Sequence, residues 1–138
     1  MKAKTALTCA AAVICAGAAI ASGSVVAQVR SLAMLDKLEQ GDWELRLHDE
    51  ASVPRRICLR DARRLIQLRH PGQSCSRITV EDTESQVTVQ YTCRGHGYGR
   101  TQIRRESDSL VQIDTQGIAE GLPFAFAAEA RRVGACTS

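Results

Sequence analysis

Two runs of alternating apolar residues, joined by a polar turn, constrain this chain more than any other feature. Ile78 and Val80 alternate with polar neighbours in residues 76–81, and Val87, Val89 and Tyr91 do the same in residues 86–93. A side-chain period of two is that of a strand with one buried face, and residues 82–85, Asp-Thr-Glu-Ser, have turn chemistry, so the segment predicts an antiparallel hairpin. Placing the apolar residues on one face pairs Val80 with Val87 and Ile78 with Val89. That register sends Cys93 to the inner face and Cys75 to the other.

The same patterns extend along the chain. Leu32, Leu35 and Leu38 lie at helical spacing in residues 30–38, which end at Gln40-Gly41. Trp43, Leu45 and Leu47 alternate with Glu44, Arg46 and His48, and a turn at residues 50–52 leads into a second strand over 53–59, a first hairpin. Asp61 is a good N-cap for a helix over 62–69, where Leu65, Ile66 and Arg69 share a face and His70-Pro71-Gly72 supplies the stop. After the 76–93 hairpin, a glycine-rich turn at 94–99 opens three further strands at 100–106, 110–115 and 122–133. Thr101 and Ile103 are the inward candidates of the first, whose charged neighbours suggest an exposed or edge position. Phe124, Phe126, Ala128 and Ala130 make the inner face of the last. No internal repeat, heptad or low-complexity linker is present. The chain therefore reads as mainly β (α+β): a single antiparallel, strongly curved sheet or small half-barrel of about six to seven strands with one or two short helices.

Residues 1–27 have the composition of a cleavable signal peptide. Lys2 and Lys4 form a basic start, residues 6–20 are small and apolar, and Val25-Val26-Ala27 offers a cleavage site before Gln28. The apolar run is short and alanine-rich for a membrane span, which needs about 20 apolar residues, and neither Cys9 nor Cys15 has the setting of a lipoprotein signal. The expected product is one exported domain, residues 28–138, periplasmic or secreted, with no stable membrane anchor after cleavage. It keeps 16 Lys and Arg against 15 Asp and Glu, a formal charge of plus one. Nucleic-acid binding rests on a concentrated excess of cations, so that near balance argues against it. Fifteen of the 16 cations are Arg; planar anion recognition would use them, but biased codon composition explains them equally and is the reading adopted.

The exported part holds Cys58, Cys75, Cys93 and Cys136, an even number that reads as two disulfides in an oxidising compartment. The hairpin register puts Cys75 and Cys93 on opposite faces, so the expected pairs are Cys58–Cys75 and Cys93–Cys136, unless a bulge near Cys75 reverses the register. A zinc site is disfavoured because there is no C-x-x-C and the spacings are 17, 18 and 43 residues. No metal or cofactor is expected.

Catalytic signatures are sparse. G-x-S-x-G, H-E-x-x-H and the phosphate-loop motif are all missing. Of the three imidazoles, His48 alternates onto a polar strand face, His70 sits at a helix end that favours a cation, and His96 lies in the glycine-rich turn. That turn, Arg94-Gly95-His96-Gly97-Tyr98-Gly99-Arg100, is the stretch most like a site, since exposed backbone N–H groups and two Arg could hold an anion. A hairpin loop with positive φ at its glycines explains the same composition and is preferred.

Gly41-Asp42-Trp43 opening a strand, with Arg131 and Arg132 near the end of the last, resembles the calycin superfamily of lipocalin-like barrels. The resemblance implies that Trp43 plugs one end of the barrel under Arg131 or Arg132, a cation–π contact. The ordered landmarks Gly41-Asp42-Trp43-Glu44, Ile57-Cys58-Leu59, Cys75, Cys93 and Arg132-Val133-Gly134-Ala135-Cys136 are also similar to the domain of unknown function 3617 family, exported proteins of Gram-negative bacteria. That resemblance implies a small periplasmic β-rich domain with paired cysteines and brings no reaction with it.

The leading expectation is a non-enzymatic binding domain for a small apolar ligand or an envelope protein. Candidate binding residues are Trp43, Phe124, Phe126 and Arg132 inside, and Arg94, His96, Tyr98 and Arg100 at the turn. A secreted-protease inhibitor and a small enzyme using His96 and Tyr98 are the alternatives.

Overall fold

The alternation around Trp43 is realised as strand β1 (Gly41–Leu47), with Trp43 and Leu45 buried on one face. A computed structural model describes residues 31–48 and 51–137; the expected signal peptide and its expected cleavage after Ala27 lie outside the described residues. Before β1 comes a short helix, α1 (Ala33–Asp36), and after it β2 (Arg55–Leu59) and a 3₁₀ helix, η1 (Ala62–Gln67). Five strands follow: β3 (Cys75–Asp82), β4 (Gln86–Cys93), β5 (Gly97–Ser107), β6 (Leu110–Ala119) and β7 (Leu122–Gly134). All seven strands form one antiparallel sheet in the order β2-β1-β7-β6-β5-β4-β3. The edges β2 and β3 do not pair, so the sheet is unclosed, as the sequence pattern implied.

The core lies on one face. Val87, Val89 and Tyr91 of β4, Ile103 of β5, Val111 and Ile113 of β6 and Ala128 and Ala130 of β7 are buried there. The two helices cover it with Met34, Leu35, Leu65 and Ile66. Below η1, Thr101 Oγ1 donates to the Ile66 carbonyl at 2.6 Å and so accepts from Thr115 Oγ1 at 2.7 Å. This buried pair of hydroxyls is fully satisfied and pins the helix to the middle of the sheet. Asp61 caps η1 by accepting from the Arg63 amide, as its position before the helix predicted. The regular helix stops at Gln67, two residues short of the expectation, because the Gln67 amide donates to the carbonyls of His70 and Gln73 and draws the chain into a turn.

Two strand expectations are corrected. β5 is interior, between β4 and β6: its charges Arg100 and Arg104 lie on the face opposite Thr101 and Ile103. Its strand also starts at Gly97, so the glycine-rich loop is only residues 94–96, with Gly95 and Gly97 at φ 79° and 112°. Gly99 serves another need, since a Cβ there would lie 2.5 Å from the Tyr91 ring.

The disulfide expectation is overturned. The bridges are Cys75–Cys93 and Cys58–Cys136, not Cys58–Cys75 and Cys93–Cys136. Two things cause this: at the turn Asp82, not Val80, stands opposite Val87, and a bulge in β3 between Thr79 and Glu81 then moves the ladder by one, so that Thr79, not Ile78, stands opposite Val89 and Cys75 opposite Cys93. One extra residue shifts every side chain of the outer half of β3 to the other face. Ile78 and Val80 are accordingly exposed, by 68% and 42%, while Arg77 points inward. Two bridges suit an oxidising, extracytoplasmic compartment, and among the described residues no helix is long and apolar enough to cross a membrane.

Candidate functional site

The helix that connects the two sheet edges also joins them chemically. Arg64 Nη1 donates to the Cys58 carbonyl of β2 at 2.7 Å, and Gln67 Oε1 accepts from Arg77 Nη2 of β3 at 2.7 Å. The seam left by the unpaired edges is therefore bridged by η1 rather than by a strand ladder. A cavity of about 650 Å³ opens beside that bridge.

Strand alternation builds the floor of the cavity. Leu45 and Leu47 of β1, Ile57 of β2 and Phe126 of β7 all project from the helix-covered face, and Leu68 closes the floor from the end of η1. Residues 68–73 form one wall. Gln67 holds that wall from within through its two donated bonds. His70, 3% exposed, holds it from behind: its Nε2 lies 3.0 Å from the His96 carbonyl, which can only accept, so Nε2 carries the proton and Nδ1 accepts from the Tyr91 hydroxyl at 3.1 Å. Burial pushes the Tyr91 hydroxyl above its ordinary pKa, with Arg69 acting the other way. His70 packs edge-on against Tyr91 and Phe124, whose centroid lies 6.3 Å from that of Phe126.

The rim is cationic. Arg55, Arg64, Arg69 and Arg77 all line the cavity, and no Asp or Glu does so among the described residues. Arg69 lies 5.7 Å above the Phe124 ring, a cation–π contact. Arg64 and Arg77 donate to neutral oxygens, and none of the four makes an ion pair among the described residues, in contrast to Arg56 and Arg63, which are salt-bridged to Asp42 and Asp36. The site thus combines an apolar floor with four arginines at its water-facing edge that make no ion pair among the described residues.

Of the residues singled out in the sequence, Phe126 lines this cavity and Phe124 supports it. Trp43 is fully buried in the core, its Nε1 donating to the Glu39 carbonyl. Arg132 stands opposite Trp43 in the ladder, but its Nε donates to the Gln40 carbonyl and approaches Glu39; Arg131 turns to Glu129. The turn residues turn to different partners. His96 Nδ1 donates to Glu120 at 2.9 Å, while Tyr98, 51% exposed, and Arg100 line a shallow cleft with Gln90 and Gln116, and Arg94 is exposed. Among the described residues no three His, Cys, Asp or Glu side chains cluster as metal ligands.

The four rim arginines are not among the candidate binding residues that the sequence pattern offers. Arg55, Ile57 and Leu59 do alternate within one strand, a signal that places Arg55 on the inner face. Arg69 shares the helix face of Leu65 and Ile66 in the sequence pattern, whereas Arg77 is legible only with the β3 register and Arg64 only with the path of the chain around η1. Comparisons with protein-family models, curated proteins and solved structures give no match.

Proposed function

We propose that this domain is a non-enzymatic binding protein that takes a small apolar ligand into the cavity between β1, β2, β7 and the 68–73 wall. The observation that carries the reading is the cavity itself. At about 650 Å³ it falls in the range of small-molecule sites, about 300–1,000 Å³, and has the expected make-up of an apolar floor with a few polar groups. The wall is braced by the chain's own Gln67 and His70, an arrangement that lowers the ordering cost of binding. On the composition of residues 1–27 and the ordered landmarks of the chain, we also infer that the domain acts in the periplasm after cleavage near Ala27, and that it belongs to the exported family it resembles.

The test is a titration of the disulfide-bonded domain with a neutral apolar dye such as N-phenyl-1-naphthylamine. Saturable binding at one dye per chain is expected, weakened at least tenfold by Leu47→Arg, which puts a charge on the floor. No saturable binding, or binding indifferent to Leu47→Arg in a variant that still folds, overturns the reading.

A further inference from the structure

We infer that the ligand of this cavity is a single-chain amphiphile with an oxyanion head, carboxylate or phosphate, whose chain lies on the apolar floor and whose head is held at the rim by Arg55, Arg69 and Arg77. The inference rests on the binding reading above and specifies its ligand.

Charge complementarity carries it. Sixteen Lys and Arg face 15 Asp and Glu over residues 28–138, so a random patch of this surface would be mixed in sign. The cavity instead gathers four arginines and no carboxylate among the described residues. Elsewhere the balance differs: of the ten other described arginines, Arg46, Arg56, Arg63, Arg104, Arg105, Arg131 and Arg132 each sit within salt-bridge distance of a carboxylate, and Arg60, Arg94 and Arg100 do not. Four of the seven arginines without an ion pair among the described residues thus share this one opening.

Their setting suits an anion that brings a hydrocarbon chain. Guanidinium groups are weakly hydrated and present paired N–H donors to carboxylate and phosphate oxygens. Arg77 reaches the cavity because the β3 bulge turns it inward, and Gln67 holds it at 2.7 Å through one Nη, leaving its other donors available. Arg69 is steadied over Phe124 by its face, so its edge donors stay free for an oxygen. Arg55 shares the ladder with Leu45 and alternates with Ile57, placing a charge directly above apolar floor. A neutral hydrocarbon would leave this set unused, and an inorganic anion would leave the floor wet.

Calorimetric titration of the oxidised domain with decanoate, decyl phosphate and decan-1-ol, each below its aggregation limit, separates the possibilities. At least one anion should bind tenfold or more tightly than the alcohol, and that advantage should shrink when salt is raised from 20 to 300 mM, values chosen to span the screening range. The better of the two anions identifies the head as carboxylate or phosphate. Arg55→Gln/Arg69→Gln should cut the advantage at least tenfold; the single reversal Arg55→Glu serves if the double variant does not fold. If the alcohol binds as tightly as both anions, the anionic head is wrong while the apolar-ligand reading stands. If none of the three binds, both are wrong.

Discussion

Tyr91 shows how one buried side chain makes a local choice global. Its ring occupies the space that Gly99 leaves empty, and its hydroxyl donates to His70, which in turn reaches the His96 carbonyl. Burial raises its pKa above the ordinary value of 10.0, so the folded state keeps the phenolic proton at a pH where the unfolded chain has released it. Stability is unaffected well below pH 10 and declines as pH rises from about 10 through the folded value. Tyr91→Phe should cost about 1 kcal/mol at neutral pH for the lost hydrogen bond, and the gap to the parent should narrow above pH 10. Denaturant melts from pH 7 to 11 check this; parallel decline of both proteins would reject it. At the same scale, the sequence made Tyr91 inward by alternation but could not reveal His70 as its partner, 21 residues away.

At the scale of elements, the β3–β4 hairpin existed in the pattern and its register did not. Alternation counts residues faithfully until a bulge inserts one, and Val80 sits in the interval where the ladder slips from Thr79 to Glu81. The misassigned faces of Ile78 and Val80 follow from that insertion, and the meeting of Cys75 with Cys93 follows from it together with a turn that sets Asp82, not Val80, opposite Val87. The true bridges close loops of unequal size, 78 residues for Cys58–Cys136 and 18 for Cys75–Cys93. Loop-closure entropy gives about 4.5 kcal/mol for the longer and about 3 kcal/mol for the shorter. Replacing Cys58 and Cys136 by Ser should thus lower stability more than replacing Cys75 and Cys93, and urea melts of the two double variants measure the order. The reverse order would place the cost in local geometry instead of chain entropy. Peptide mapping without reduction checks the connectivity itself.

For the whole molecule, the unclosed sheet is completed by η1 across its seam, and Gln67 is the central element of that junction. Its side chain makes three hydrogen bonds, to His70, Gln73 and Arg77, and it is 7% exposed. Gln67→Ala should therefore cost about 1–3 kcal/mol, the range for leaving buried polar groups unpaired. Amide exchange should speed first in residues 68–73, because the wall opens locally before the sheet unfolds. Uniform acceleration across the sheet would show that the wall and the sheet are one cooperative unit.

The sequence by itself determined the class of fold, the number and direction of most strands, the N-cap at Asp61 and the presence of two bridges, because each depends on local periodicity, capping chemistry or cysteine parity. Part of the cavity was also legible there: Phe126, Leu45 and Leu47 are inward by simple alternation. Only the tertiary structure decided which cysteines meet, that Arg55, Arg64, Arg69 and Arg77 line one opening, and that His96 turns to Glu120 while Tyr98 lines a cleft with Arg100. These outcomes depend on a one-residue bulge and on a turn held by side chains distant in sequence. Neither leaves a period in the chain, since the energies that select them come from contacts formed after the strands have paired.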